Sequence, residues 1–264
     1  MSAPVVLFER SGVLAIAKPP GLATQAAPGI PSVESWLRDR LHAGSPLGYV
    51  GVPHRLDRAV SGILLMASTP RAARQLSRQF ERRQVAKTYL ALVSSRGDRP
   101  REFDRLASAG SAGLTWEDML VKIPDEARAE LAAATTPGAR SAVTHAVLCG
   151  EVRDTPAAPE SPGEPGQSVL WLLRLEPVTG RMHQLRVQAA ARGLPILGDA
   201  LYGGPGRWRP LVLPTDREGP IALHAWRIAY RDPDSGEAIT AEAALPAWWP
   251  AAVRDLADND ESAA

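Results

Sequence analysis

The sequence predicts an α+β fold: a central mixed, largely antiparallel sheet with flanking helices. Two observations lead there. Strand-like segments recur along the 264 residues, at 5–9, 13–17, 62–68, 87–95, 141–149, 168–176 and 221–231. Helical periodicity is confined to a few stretches, beginning near Ser32, Thr69 and His183. Many strands with few helices argue for one mixed domain built on a largely antiparallel sheet.

Each element has a local reason. Val5–Glu9 and Val13–Ala17 form a hairpin around Arg10-Ser11-Gly12, followed by the rigid turn KPPG at 18–21. Ser32 is a suitable N-cap for a helix placing Val33, Trp36, Leu37 and Leu41 on one face. GILLMAS, 62–68, reads as a short buried strand, and Thr69-Pro70 caps and starts the next helix. There Ala73, Leu76 and Phe80 are expected inward, with Arg71, Arg74, Arg78 and Arg82 forming a basic stripe. KTYLALVSS, 87–95, alternates as a strand with one buried face. A helix from His183 or Gln184 ends at Gly193, ahead of Pro195. Residues 96–140 carry little legible pattern. Four prolines make 155–168 a mobile loop. The expected organisation is a single domain over 1–252, with Trp248 and Trp249 packing the C-terminal segment onto the sheet, and an acidic, flexible tail over 253–264.

Composition narrows the function. The formal charge is +1, and no apolar run reaches the roughly 18–20 residues of a membrane span. The N-terminus shows no secretory leader, and the single Cys149 allows no internal disulfide, as expected of a cytoplasmic protein. The five histidines do not fall at zinc-site spacings, and phosphate-loop motifs are missing, so no cofactor and no metal are expected.

Four segments hold polar residues where packing alone would not ask for them: AKPPGLAT (17–24), PHRLDRAVSG (53–62), QVAKTYLALV (84–93) and TGRMHQLRVQAAARGLPILGDALYG (179–203). Taken together and in this order, they resemble the RluA-like RNA pseudouridine synthases. HRLDRAVSGILL is similar to that family's HRLDxxTSGLLL, VAKTYLALV to the strand bearing its active-site tyrosine, and the last segment to TGRTHQIRVH…GxPIxGDxxYG. The resemblance implies the pseudouridine synthase fold, a sheet cleft by an RNA-binding groove, with no room for a separate N-terminal RNA-binding domain. It implies Asp57 as the catalytic carboxylate, Tyr89 as the ring that stacks on the target base, and Arg186 as the arginine paired with the aspartate. His54, Arg55, Lys87, Arg181 and His183 are candidate RNA contacts, and the partner would be ribosomal or transfer RNA, met by a monomer. Val60, Met182 and Gln188 depart from the family pattern.

The chemistry agrees. Uridine isomerisation breaks a glycosidic bond, turns the uracil and rejoins it through carbon 5, with no redox change and no net water. A carboxylate can attack the sugar, add to the base or support elimination, and all three routes need it ionised. Several residues keep a plain alternative. His54 and His183 can serve structure, the arginine stripe can be a solvated face, and Lys18 can simply face water. Two other functions stay open: a non-catalytic RNA-binding or chaperone protein, and a glycoside or nucleoside hydrolase. The second wants a pair of carboxylates, and Asp199 is the nearest partner by motif.

Overall fold

The computed structural model describes residues 3–42, 48–94, 99–152, 169–204 and 219–261. The Pro-rich segment expected to be mobile, 155–168, lies outside the described residues. In chain order the first elements are β1 (Val5–Arg10), β2 (Val13–Lys18), α1 (Val33–His42), β3 (Ser61–Ala67), α2 (Pro70–Glu81), β4 (Ala86–Ser94) and α3 (Arg101–Ala109). They are followed by β5 (Leu114–Lys122), β6 (Ala129–Leu131), β7 (Arg140–Val152), β8 (Leu170–Pro177), α4 (Gln184–Ala191), β9 (Leu223–Arg231), β10 (Ala238–Glu242) and α5 (Ala251–Glu261). No helix among the described residues is long and apolar enough to cross a membrane. The chain forms two compact units, one of residues 1–87 with 224–244 and one of 88–223 with 245–264.

In the first unit β1 and β2 form the expected antiparallel hairpin. Its two-residue turn has Ser11 at φ 51° and Gly12 at φ 72°, the left-handed pair that matches strand twist. β2 pairs antiparallel with β3, β3 pairs parallel with β9 through Ser61–His224 and Gly62–Ala225, and β10 pairs antiparallel with β9. All seven residues of β3 are buried, which is why its sequence is a continuous apolar run. Both expected caps form: Ser32 Oγ accepts from the Ser35 amide at 3.1 Å, and Thr69 Oγ1 from the Ala72 amide at 3.2 Å.

The buried face of α2 is Ala72, Leu76 and Gln79, turned by one position from the expected Ala73, Leu76 and Phe80. The cause is Gln79, whose amide exchanges two 2.8 Å hydrogen bonds with the main chain of Arg231 at the end of β9. A buried glutamine reads as a surface residue in sequence, so the face is assigned to its apolar neighbours.

The second unit is the antiparallel array β4–β8–β7–β5–β6. Residues Leu90–Ser94 of β4 are buried without interruption, so the expected one-sided alternation does not hold. β4 is an interior strand: besides β8 it carries the segment 195–197, with Leu197 N–H donating to Leu92 O at 2.9 Å. The poorly patterned stretch 96–140 contains α3, β5 and β6. Its apolar signal is diluted because Glu102 is buried to accept the Trp116 indole N–H at 2.8 Å. The segment from 253 expected as a flexible tail falls within the last helix. α5 runs to Glu261, and Trp249 and Val253 are buried. A Cβ on Gly150 of β7 would stand 3.0 Å from Leu256. Val253 and Leu256, three residues apart, lie on one face of α5.

Gly62 supplies a direct check. Its φ is 119°, and a Cβ there would fall 2.1 Å from Ala225 O. Gly62→Ala is therefore expected to break the β3–β9 pairing and lower unfolding stability by at least ~2 kcal/mol, measured by urea denaturation.

Candidate active site

Asp57 lies four residues before β3, and the Val60 amide donates to its carbonyl at 3.1 Å, closing a turn. Aspartate is favoured at the first position of such turns. The flanking residues are fixed by the segment 18–24. Thr24 Oγ1 donates to Leu56 O at 3.0 Å and accepts from the Leu56 amide at 3.1 Å. On the other side Arg58 O accepts from the Gly21 amide at 2.7 Å and from Lys18 Nζ at 3.3 Å. Asp57 itself is half-buried.

Lys18 does not face water, contrary to the plain reading of its sequence. It is 2% exposed, and its ammonium also donates to Pro19 O at 3.0 Å and Leu22 O at 2.8 Å. Burial pushes it down to about 7, against the opposing charge of Asp57 and with the like charge of Arg58. The KPPG turn thus folds around its own lysine, near enough to Asp57 for the two charges to interact. Val60, where a family threonine would add a hydroxyl, is buried at 2% exposure and contributes its amide to the turn.

The candidate RNA contacts of this unit separate clearly. Arg55 is exposed. The ring of His54 stacks on Phe80 at 4.5 Å, and its Nε2 accepts the Leu65 amide at 2.9 Å. Burial, then the charge of Lys87, push its imidazole down to about 3, so it is neutral and committed to the fold. Lys87 is half-buried, and burial lowers it to about 8. Arg71, Arg74, Arg78 and Arg82 are all exposed, and Arg71 pairs with Asp234 at 3.2 Å.

In the second unit Tyr89 stands half-buried on β4 opposite Leu175 of β8. Arg186 is in the first turns of α4, at 1% exposure. Its forked partner in this unit is Asp199: Nε donates to Oδ2 and Nη2 to Oδ1, each at 2.7 Å, with the carboxylate fully buried. The Arg186 guanidinium also lies 5.1 Å from the centre of the Tyr202 ring. Tyr202 Oη is 2.9 Å from His183 Nδ1 and bridges the amide and carbonyl of Ala129 at 3.0 and 3.1 Å. His183 adopts a left-handed φ of 51° before α4 and makes no side-chain cap. It serves through Tyr202 to hold the surroundings of Arg186.

Gln184 ties the preceding segment to the helix start, accepting from the Thr179 hydroxyl at 2.7 Å and from the Arg181 amide at 3.0 Å. Arg181 Nε donates to Ser141 O at 2.9 Å. The two remaining departures are accommodated by packing. Met182 joins the apolar cluster of Leu120, Ala129, Ala142 and Val187. Gln188 accepts from Thr144 Oγ1 at 2.6 Å and donates to Asp118 Oδ2 at 2.7 Å, an amide using both ends in a buried network. Among the described residues no group of three or more His, Cys, Asp or Glu could hold a metal ion.

Sequence comparison fits this geometry. A family model described as RNA pseudouridylate synthase matches residues 12–191. The chain belongs to the RNA pseudouridylate synthase family. The chain is 35% identical over 250 residues to ribosomal large subunit pseudouridine synthase D of Xanthomonas campestris, with 91% of this chain and 66% of that relative covered. It is 32% identical over 251 residues to tRNA pseudouridine synthase C of Haemophilus ducreyi, with 92% of each covered. The chain therefore spans about two thirds of the length of the first relative and most of the second. Among solved structures, human RNA pseudouridylate synthase domain containing 4 superimposes with a TM-score of 0.64 at 21% identity, over 92% of this chain and 89% of the other. Human RNA pseudouridylate synthase domain containing 1 does so with the same TM-score at 22% identity, over 98% and 95%. These two confirm the mixed, largely antiparallel fold.

Two outcomes follow from the site. Asp199→Asn leaves the Arg186 charge buried against a neutral amide and is expected to cost about 3–5 kcal/mol of unfolding free energy. Asp199→Leu combined with Arg186→Met should recover much of that loss in the same urea titration. For His54, the folded pKa of about 3 lies below the ordinary 6.5, so its stabilisation is complete above 6.5 and is lost as pH falls toward 3. The melting-temperature gap between wild type and His54→Gln, whose amide does not titrate, should be widest near pH 7 and narrow by pH 4.

Proposed function

We propose that this chain isomerises a specific uridine to pseudouridine in ribosomal or transfer RNA, without a cofactor, as a cytoplasmic monomer. Asp57 is the carboxylate that acts on the nucleoside, Tyr89 the ring that stacks on the uracil, and Arg186 the arginine that the family resemblance assigns to the reaction. The observation that carries this reading is the Asp57 turn, in which a half-buried carboxylate is held on both sides by main-chain hydrogen bonds. Such rigidity is what a reacting group requires and what a solvated surface aspartate lacks. A uridine stacked in RNA is out of reach of such a carboxylate, so the base must be flipped out.

RNA is gripped through phosphates by Arg55, Lys87 and Arg181, and by the exposed row Arg74, Arg78 and Arg82, which makes no ion pair among the described residues. His54 and His183 contribute by ordering the elements behind these contacts.

Asp57→Asn tests the assignment. Binding to a uridine-containing transcript is expected to stay within about twofold while pseudouridine formation is abolished. Undiminished modification would remove Asp57 from the chemistry, and an inactive wild type with intact RNA binding would favour a non-catalytic RNA-binding protein. Replacing Arg74, Arg78 and Arg82 together by alanine should weaken RNA binding and flatten the slope of log affinity against log salt by roughly two.

A further inference from the structure

We infer that Thr24 is a positioning residue for the reaction: its one hydroxyl holds both main-chain groups of Leu56 and thereby sets where the Asp57 carboxylate stands. The inference rests on the reading of Asp57 as the reacting carboxylate.

Thr24 is 3% exposed and Leu56 6% exposed, so neither partner has water as an alternative. The hydroxyl gives its proton to Leu56 O at 3.0 Å and takes the Leu56 N–H at 3.1 Å, using the two capacities that a hydroxyl combines in one atom. Thr24 is itself anchored: its carbonyl accepts the Glu34 amide at 3.0 Å, and Ala23 O accepts the Val33 amide at 2.9 Å, both at the start of α1. The position of a helix terminus is thus transmitted through one side chain to the residue before the aspartate. The residue after it, Arg58, is held through its carbonyl by Gly21 and Lys18. Asp57 occupies the centre of a tripeptide gripped at both ends, and its own carbonyl is tied to Val60.

Valine matches threonine in shape but offers neither donor nor acceptor. At position 24 it would leave the buried amide and carbonyl of Leu56 unpaired, and the loop would move to satisfy them. A shift of about 1 Å in a reacting group can lower a rate about a hundredfold. Of the proposed RNA contacts only Arg55 adjoins this loop, while Lys87, Arg181 and the arginines of α2 lie outside it.

The experiment compares wild type, Thr24→Val, Thr24→Ser, Thr24→Cys and Asp57→Asn on one uridine-containing transcript. It measures kcat, KM, equilibrium RNA affinity and melting temperature. Thr24→Val is expected to lose about 10- to 100-fold in kcat with KM and RNA affinity within about twofold. Thr24→Ser, which keeps the hydroxyl, should recover most of the rate, and Thr24→Cys, a weaker donor and acceptor, should fall between. Should Thr24→Val fail to fold, the order of Thr24→Ser above Thr24→Cys decides the matter. A wild-type kcat in Thr24→Val, or equal losses in the serine and cysteine variants, would overturn the inference. If Asp57→Asn is fully active, it is the underlying assignment of the carboxylate that fails. An inactive Asp57→Asn beside a fully active Thr24→Val refutes the positioning role alone.

Discussion

Four hydrogen bonds from residues 18–24 to Leu56 and Arg58 hold the loop that presents Asp57, and the local design of the first unit follows from them. Each bond adds only about 1 kcal/mol net, but each buried group left unpaired would cost more, so the set is satisfied together or not at all. Two sequence features then have a reason. Lys18 is buried because its ammonium reaches the carbonyls of Pro19, Leu22 and Arg58. Gly21 stands at φ 86°, a left-handed position that lets its amide reach Arg58 O. Four residues beyond Asp57 the chain enters the wholly buried β3.

The second unit solves a different problem, the retention of a guanidinium in a dry interior. Desolvating Arg186 and Asp199 costs more than a weak contact could offset, and the two-pronged pairing at 2.7 Å is the geometry that can compensate. Tyr202 braces the same arginine with its ring and ties the neighbouring backbone with its hydroxyl. Such a pair contributes orientation more than stability: it fixes the guanidinium in one place.

Much of this was legible in the sequence where a residue acts through a local rule. The Ser11-Gly12 turn, the caps Ser32 and Thr69, the apolar run of β3 and the start of α4 all follow from nearest neighbours. What escaped was long-range and polar. Gln79 and Glu102 are buried because partners distant in sequence, Arg231 and Trp116, satisfy them. Lys18 reads as a solvated lysine because the carbonyls that accept it include one forty residues away. Asp199 could be named only as a possible acidic partner, since its pairing with Arg186 depends on how the chain returns after α4. Thr24 carried no signal, because a threonine after a turn is ordinary until its hydroxyl is seen on Leu56.

The most direct measurement is a nucleotide-resolution map of unmodified ribosomal and transfer RNA transcripts after incubation with the purified protein, with free uracil assayed in the same reaction. One uridine converted to pseudouridine, with no uracil released and nothing added beyond buffer, is the expected result. Released uracil would make the chain a hydrolase, and RNA unchanged at every position would contradict an isomerase altogether.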